Sequence, residues 1–98
     1  MADIRFEWDQ RKSNENQRKH GVSFEEASSV FSDEYALLIP DPEHSSEEDR
    51  FLLLGLSELL RTLVVCHCYR KSDEVIRIIS ARKARRSERA QYGQRWQQ

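Results

Sequence analysis

The chain has little of what most recognisable sites and scaffolds require. With three glycines and two prolines in 98 residues, it holds no glycine-rich loop to cradle a phosphate, no Gly-x-Ser-x-Gly elbow and no His-Glu-x-x-His zinc helix. Its two cysteines, in the run Cys66-His67-Cys68, make no disulfide framework, so a reducing compartment is expected. In a strand they point to one side and His67 to the other, which disfavours a single metal held by all three, and no second pair stands at zinc-finger spacing. Both cysteines are read as core residues, and neither a metal nor another cofactor is expected. No apolar run approaches the ~18 residues of a membrane span, and Met1–Asp9 lacks a basic-then-apolar leader. One cytoplasmic domain over 1–98, with no membrane part, is the expectation.

An overall excess of one charge is also missing: 16 Lys/Arg oppose 17 Asp/Glu. The balance hides a segregation. Residues 1–20 carry five cations and four acids; residues 21–60 carry Arg50 against ten acids; residues 61–98 carry ten cations against Asp73, Glu74 and Glu88. Such asymmetry suggests a basic surface for a polyanion and an acidic surface elsewhere, unless the fold interleaves the segments. The acidic stretch is read as solvated or as meeting a basic partner, because phosphates would repel it.

Local patterns predict the elements. Ile4–Trp8 alternates apolar and polar as a short strand does. Asp9 is a good N-cap for a polar helix over Gln10–His20, with Gly21 placed to end it. Ser23-Phe24-Glu25-Glu26 is a capping box opening a second helix through Phe31, with Phe24, Ala27, Val30 and Phe31 as its apolar stripe and Val22 as a staple. Tyr35–Ile39, Phe51–Leu56, Leu63–Tyr69 and Val75–Ile79 have strand length and composition. Pro40-Asp41-Pro42 closes the first of these, Glu43–Asp49 reads as an acidic loop, and Arg70–Asp73 as a polar turn. Leu56–Arg61 is a connection whose Glu58-Leu59-Leu60 offers no turn residue. A last helix is predicted from Ser80 or Ala81 to about Trp96. The order β-α-α-β-β-β-β-α gives an α+β fold, an antiparallel sheet flanked by helices.

Two constellations carry candidate chemistry. Lys12, Asn16, Lys19 and His20 share one face of the first helix, offering two cations, an amide and an imidazole for phosphate and proton transfer; a solvated helix capped by His20 is the plainer reading. Arg82, Arg85, Arg86 and Arg89 fall at i, i+3, i+4 and i+7 of the predicted last helix, a stripe suited to RNA phosphates or an acidic protein, or simply a solvated face. Arg77, inside Val75–Ile79, faces either solvent or a polar cleft. Glu47-Glu48 lies in the acidic loop and reads as solvated.

At this point the residues resemble a known family. Phe6-x-Trp8-Asp9-x-x-Lys12-x-x-x-Asn16-x-x-Lys19-His20-Gly21-Val22-x-Phe24-x-Glu26-Ala27, followed by Val30-Phe31-x-Asp33, resembles the BrnT toxins. So do Asp41-x-x-His44, Glu48-x-Arg50, Gly55, Arg77-Ile78-Ile79-Ser80-Ala81-Arg82-x-Ala84, Glu88 and Tyr92. Two positions depart: Glu58-Leu59-Leu60 stands where relatives tend to carry glycine, and Glu34 where proline is common.

The resemblance implies a RelE-like fold and a ribonuclease toxin of a type II toxin–antitoxin system. It also implies a BrnA-like antitoxin whose ribbon-helix-helix part binds operator DNA, the toxin reaching that DNA only through it. On motif and residue chemistry together, His20 is expected as general acid or base, since imidazole titrates near neutrality. Lys12, Arg77 and Arg82 are expected to hold the phosphate and stabilise the transition state, with His67 as a second acid/base group. Lys19, Arg85, Arg86, Arg89 and Tyr92 are expected to bind RNA. A non-catalytic module that sequesters antitoxin or RNA, and a co-repressor active only with its antitoxin, are the alternatives.

Overall fold

A computed structural model describes residues 4–41, 43, 48–70 and 74–97. His44 of the Asp41-x-x-His44 block, Pro42, Glu47 and the turn residues 71–73 lie outside the described residues. Strand β1 (Arg5–Glu7) leads into α1 (Gln10–His20) and α2 (Phe24–Ser29), which continues as a 3₁₀ turn, Val30–Ser32. Then come β2 (Leu37–Pro40), β3 (Phe51–Leu56), β4 (Thr62–Arg70) and β5 (Val75–Lys83). Helix α3 (Arg86–Gly93) and a second 3₁₀ turn, Gln94–Gln97, follow. The sheet order is β1-β5-β4-β3-β2. β2 through β5 pair antiparallel, while β1 runs parallel to β5, so the sheet is mixed. Among the described residues no helix is long and apolar enough to cross a membrane.

The helix boundaries follow from the caps. Asp9 Oδ1 accepts the N–H groups of Arg11 and Lys12 at 2.8 and 3.4 Å, satisfying two of the donors a helix start leaves open. Gly21 ends α1 in the left-handed conformation (φ 71°), its N–H donating to Gln17, a conformation glycine takes without steric cost. Ser23 Oγ accepts from Glu26 N at 3.1 Å. The other half of that capping box is missing, because the Glu26 carboxylate is used elsewhere: Ser57 Oγ and the Arg61 guanidinium both donate to it. Arg61 pulls the Glu26 carboxyl below its ordinary range, against the opposing effect of burial.

This carboxylate explains how the β3–β4 connection turns without glycine. Ser57, held by Glu26, accepts the N–H groups of Leu59 and Arg61 on its hydroxyl, and its backbone bonds Arg61 and Leu60. Leu60 takes φ 62°, a left-handed conformation that favours glycine, with 78% of its surface exposed.

The core lies mainly between the sheet and the first two helices. Val22, Phe24, Ala27 and Val30 pack on Leu53, Leu63, Val65, Ile78 and Ala81, with Phe6, Trp8, Phe31 and Ala36 at the margin. On the opposite face α3 covers one end only, where Ala84 and Tyr92 meet Leu54 and Val64.

Helix α1 has no apolar residue, and polar bonds hold it. Ser13 Oγ accepts Phe24 N. Asn16 Nδ2 donates to the carbonyls of Val22 (2.7 Å) and Ala81 (2.8 Å), and its Oδ1 accepts Ala81 N (3.1 Å). Asn16 therefore joins α1 to β5 through two bonds to Ala81 and to the link before α2 through a third to Val22, a role different from the ligand expected of it.

The largest correction concerns Ser80–Lys83, which extends β5 where a helix is predicted. Ser80 pairs Cys66 and Ile78 pairs His67, leaving Ile79 as an extra residue in a β-bulge. An extra residue reverses the alternation of side chains. Ile78 and Ala81 are both buried, although an unbroken strand would turn them to opposite faces. Arg82 thus joins Ser80 and Cys66 on the face opposite the first two helices. The sequence signal is the adjacent pair Ile78-Ile79, which breaks a strict apolar-polar alternation.

Candidate active site

The expected residues divide among three places. The first is a hollow between α1 and β5 lined by Lys12, Glu15, Asn16, Lys19, His20, Ile79 and Ser80. Lys12, Lys19 and His20 are exposed on its helical wall, in the order that a 3.6-residue period dictates. They reach this wall because Asn16, on the same helix face, is drawn down onto Ala81. Arg61 Nη2 also donates to the carbonyl of Gly21 at 2.9 Å, which fixes the chain just after His20.

The second place is a cleft on the open face of the sheet, whose lining includes Asp41, Arg50, Leu52, Cys66, Ile79, Ser80, Arg82 and Arg85. It shares Ile79 and Ser80 with the first hollow, so the β5 bulge forms the ridge between them. Arg50, noted in the sequence within the Glu48-x-Arg50 motif but given no role there, stands just before β3 and lines this cleft. The Cys66 thiol is pushed up chiefly by burial, with nearby Arg50 acting in the other direction. An un-ionised thiol on the floor is a weak nucleophile. Arg82 meets Glu88 end-on, Nη1 to Oε1 at 2.8 Å and Nη2 to Oε2 at 2.9 Å.

The third place holds Arg77. It lies on the same sheet face, opposite Cys68, and its Nη1 is 3.5 Å from Glu7 Oε1, a carboxylate that also meets Arg70. Five residues along β5 separate Arg77 from Arg82, about 16 Å at strand rise. The structure therefore does not bring these two cations together.

Three expectations are corrected here. His67 has no exposed surface and lies on the helix-covered face, its ring edge-on to Phe31 (centroids 4.8 Å) and beside Phe51 and Tyr69. Nδ1 lies 3.1 Å from the Val65 carbonyl and Nε2 3.3 Å from the Tyr69 hydroxyl. The carbonyl requires a proton on Nδ1, so Nε2 is the acceptor. Burial pushes the imidazole below its ordinary pKa, and a neutral, enclosed His67 reaches no substrate. Tyr92 is buried as well, its hydroxyl donating to Asp33 Oδ2 at 2.5 Å; it fastens α3 to the 3₁₀ turn and presents nothing to RNA. Finally, the four arginines form no helical stripe. Arg82 is on β5, Arg85 precedes α3, Arg86 opens it, and Arg89 Nη1 donates to the Ala84 carbonyl.

The arrangement sets two lysines and an imidazole on one side of the ridge and guanidinium groups on the other. Three comparisons with known proteins bear on it. A family model described as "Ribonuclease toxin, BrnT, of type II toxin-antitoxin system" matches residues 8–88. The crystal structure of the Brucella abortus ribonuclease toxin BrnT superposes with a TM-score of 0.65 at 24% identity, covering 85% of this chain and 99% of that one. At that identity the likeness is one of fold. No curated protein matches.

Proposed function

The chain belongs to the BrnT family of ribonuclease toxins of type II toxin–antitoxin systems, and from that premise we propose that it is an endoribonuclease that needs no metal. The observation that supports this reading is the meeting of the His20 hollow and the Arg82 cleft at Ile79 and Ser80. An RNA backbone lying over that ridge places one phosphate between an imidazole and guanidinium groups. The 2′-oxygen attacks the adjacent phosphorus as its proton leaves to a base, and the 5′-oxygen departs as it gains a proton. The products are a 2′,3′-cyclic phosphate and a 5′-hydroxyl. His20 carries one of these protons. Lys12 and Arg82 offset the extra charge of the phosphorane, and Lys19, Arg85 and Arg86 hold flanking phosphates. Arg77, remote from the ridge, contacts a more distant phosphate.

A BrnA-like antitoxin is the proposed partner, neutralising the chain and carrying it to operator DNA in the cytoplasm. The test is induced expression of this chain alone, wild type beside His20→Ala and Arg82→Ala, with growth and RNA integrity followed together. Growth arrest with cleaved RNA is expected, cleavage falling by about 100-fold or more in each soluble variant. Cleavage should survive chelation of divalent ions and vanish when the 2′-hydroxyl at the scissile position is removed. Normal growth and intact RNA with soluble wild-type protein would instead point to the sequestering module.

A further inference from the structure

In the cleft, both terminal nitrogens of Arg82 meet the single carboxylate of Glu88, and that partner is itself anchored. Glu88 is the third residue of α3, and its Oε1 also accepts the N–H of Arg85 at 2.7 Å. That bond satisfies one of the donors left open at the start of α3. The carboxylate is thus fixed to the helix at one oxygen and to the Arg82 fork at both. Arg82, then backbone bonding to Arg85, pulls the Glu88 carboxyl down to about 2 against the effect of burial. It is an anion throughout the range in which a cell works and carries no proton for the reaction.

A guanidinium has five N–H donors in a fixed plane. Two are spent on Glu88, and Nη1 also lies 3.4 Å from the Lys83 carbonyl. What remains is the edge formed by Nε and the outer hydrogen of Nη2, a parallel pair that matches two phosphate oxygens. A long side chain otherwise loses rotamer entropy on being held in one geometry. Here that ordering is already done by the carboxylate.

Resting on the assignment of Arg82 to the scissile phosphate, we infer that Glu88 is a positioning residue: it clamps Arg82 end-on and leaves one guanidinium edge for a phosphate in the cleft. The opposite role, an internal anion that occupies Arg82 until RNA displaces it, would require breaking both fork bonds at a carboxylate held by the helix start.

The two roles predict opposite signs. The experiment is single-turnover cleavage of an RNA oligomer by the full chain, which yields a saturating rate and a half-saturating protein concentration. Glu88→Gln is the variant of choice, because glutamine keeps an acceptor for Arg85 N and serves equally at this helix position; an unchanged melting temperature confirms that α3 is intact. The expected result is a saturating rate about tenfold lower with the half-saturating concentration changed less than about twofold, and no further loss when Glu88→Gln is added to Arg82→Ala. An equal loss in the Arg82→Ala background would overturn the inference in favour of a helix-capping role. A faster or unchanged rate in Glu88→Gln would overturn it in favour of an occluding or idle carboxylate. If Arg82→Ala cleaves like wild type, or wild type cleaves nothing, the assignment of Arg82 itself fails, and the inference with it.

Discussion

Under α1 and α2, the polar side chains of the sheet and helices are consumed by structure; on the opposite face, they stand around an open cleft. Asn16, Ser13, Glu26 and His67 are all buried on the covered side, and each has its hydrogen-bond partners. Arg50, Arg77, Arg82 and Arg85 lie on the open side, half-buried or exposed. The difference teaches how to separate polar residues that build this fold from those available to a ligand. A buried polar group must have its bonds made within the chain, because desolvation without them costs ~1–3 kcal/mol. On the open face Arg77 and Arg82 meet carboxylates yet stay only half-buried, where a ligand can still reach them.

Substitutions sharpen that contrast. Asn16→Ala removes three bonds and leaves buried backbone groups of Val22 and Ala81 unsatisfied, so a loss of roughly 3 kcal/mol is expected in urea unfolding; a loss below about 1 kcal/mol would break the comparison. Gly55→Ala acts on the same side. A methyl there would sit 2.8 Å from Val30 Cγ1 and 2.9 Å from Ala36 Cβ, so about 2 kcal/mol should be lost to overpacking.

His67 gives a pH signature. Its folded pKa lies below the ordinary histidine value, so on acidification the unfolded chain takes up a proton that the folded chain refuses. Stability should therefore fall as pH drops below about 6.5, and His67→Phe should flatten the slope between that point and the carboxylate range. Parallel slopes in the two proteins would show that the ring is not held neutral. Leu60→Gly relieves a left-handed leucine with little packing to lose and should raise stability by about 1 kcal/mol. On the open side Arg86→Glu should move stability by less than about 0.5 kcal/mol, while weakening RNA binding and lowering its salt dependence. A large change in melting temperature there would erase the distinction between the faces.

Much of the fold was legible, for local reasons. Asp9, Gly21 and Ser23 act at caps through neighbours two to four residues away, so their spacing alone reads correctly. β3 was legible from its apolar run, and the α2 stripe from its period. The site was legible as residue types more than as a place. Lys12, Lys19 and His20 do share a wall, because one helix carries them. Arg82 and Arg85 do line one cleft, but by a route that helical spacing did not anticipate, and Arg50, given no role within the Glu48-x-Arg50 motif, joins them through the fold.

The amino-acid order by itself determined the caps, the element sequence, the family motif and the stock of cations and imidazole, since each depends on residues near one another along the chain. Only the tertiary structure decided that Ile79 bulges, that Asn16 and His67 are enclosed and that Glu88 meets Arg82. Which face a side chain takes depends on strand register, and whether a polar group is enclosed depends on distant segments packed above it. Both are settled by contacts far apart in sequence, where nearest-neighbour patterns carry no information.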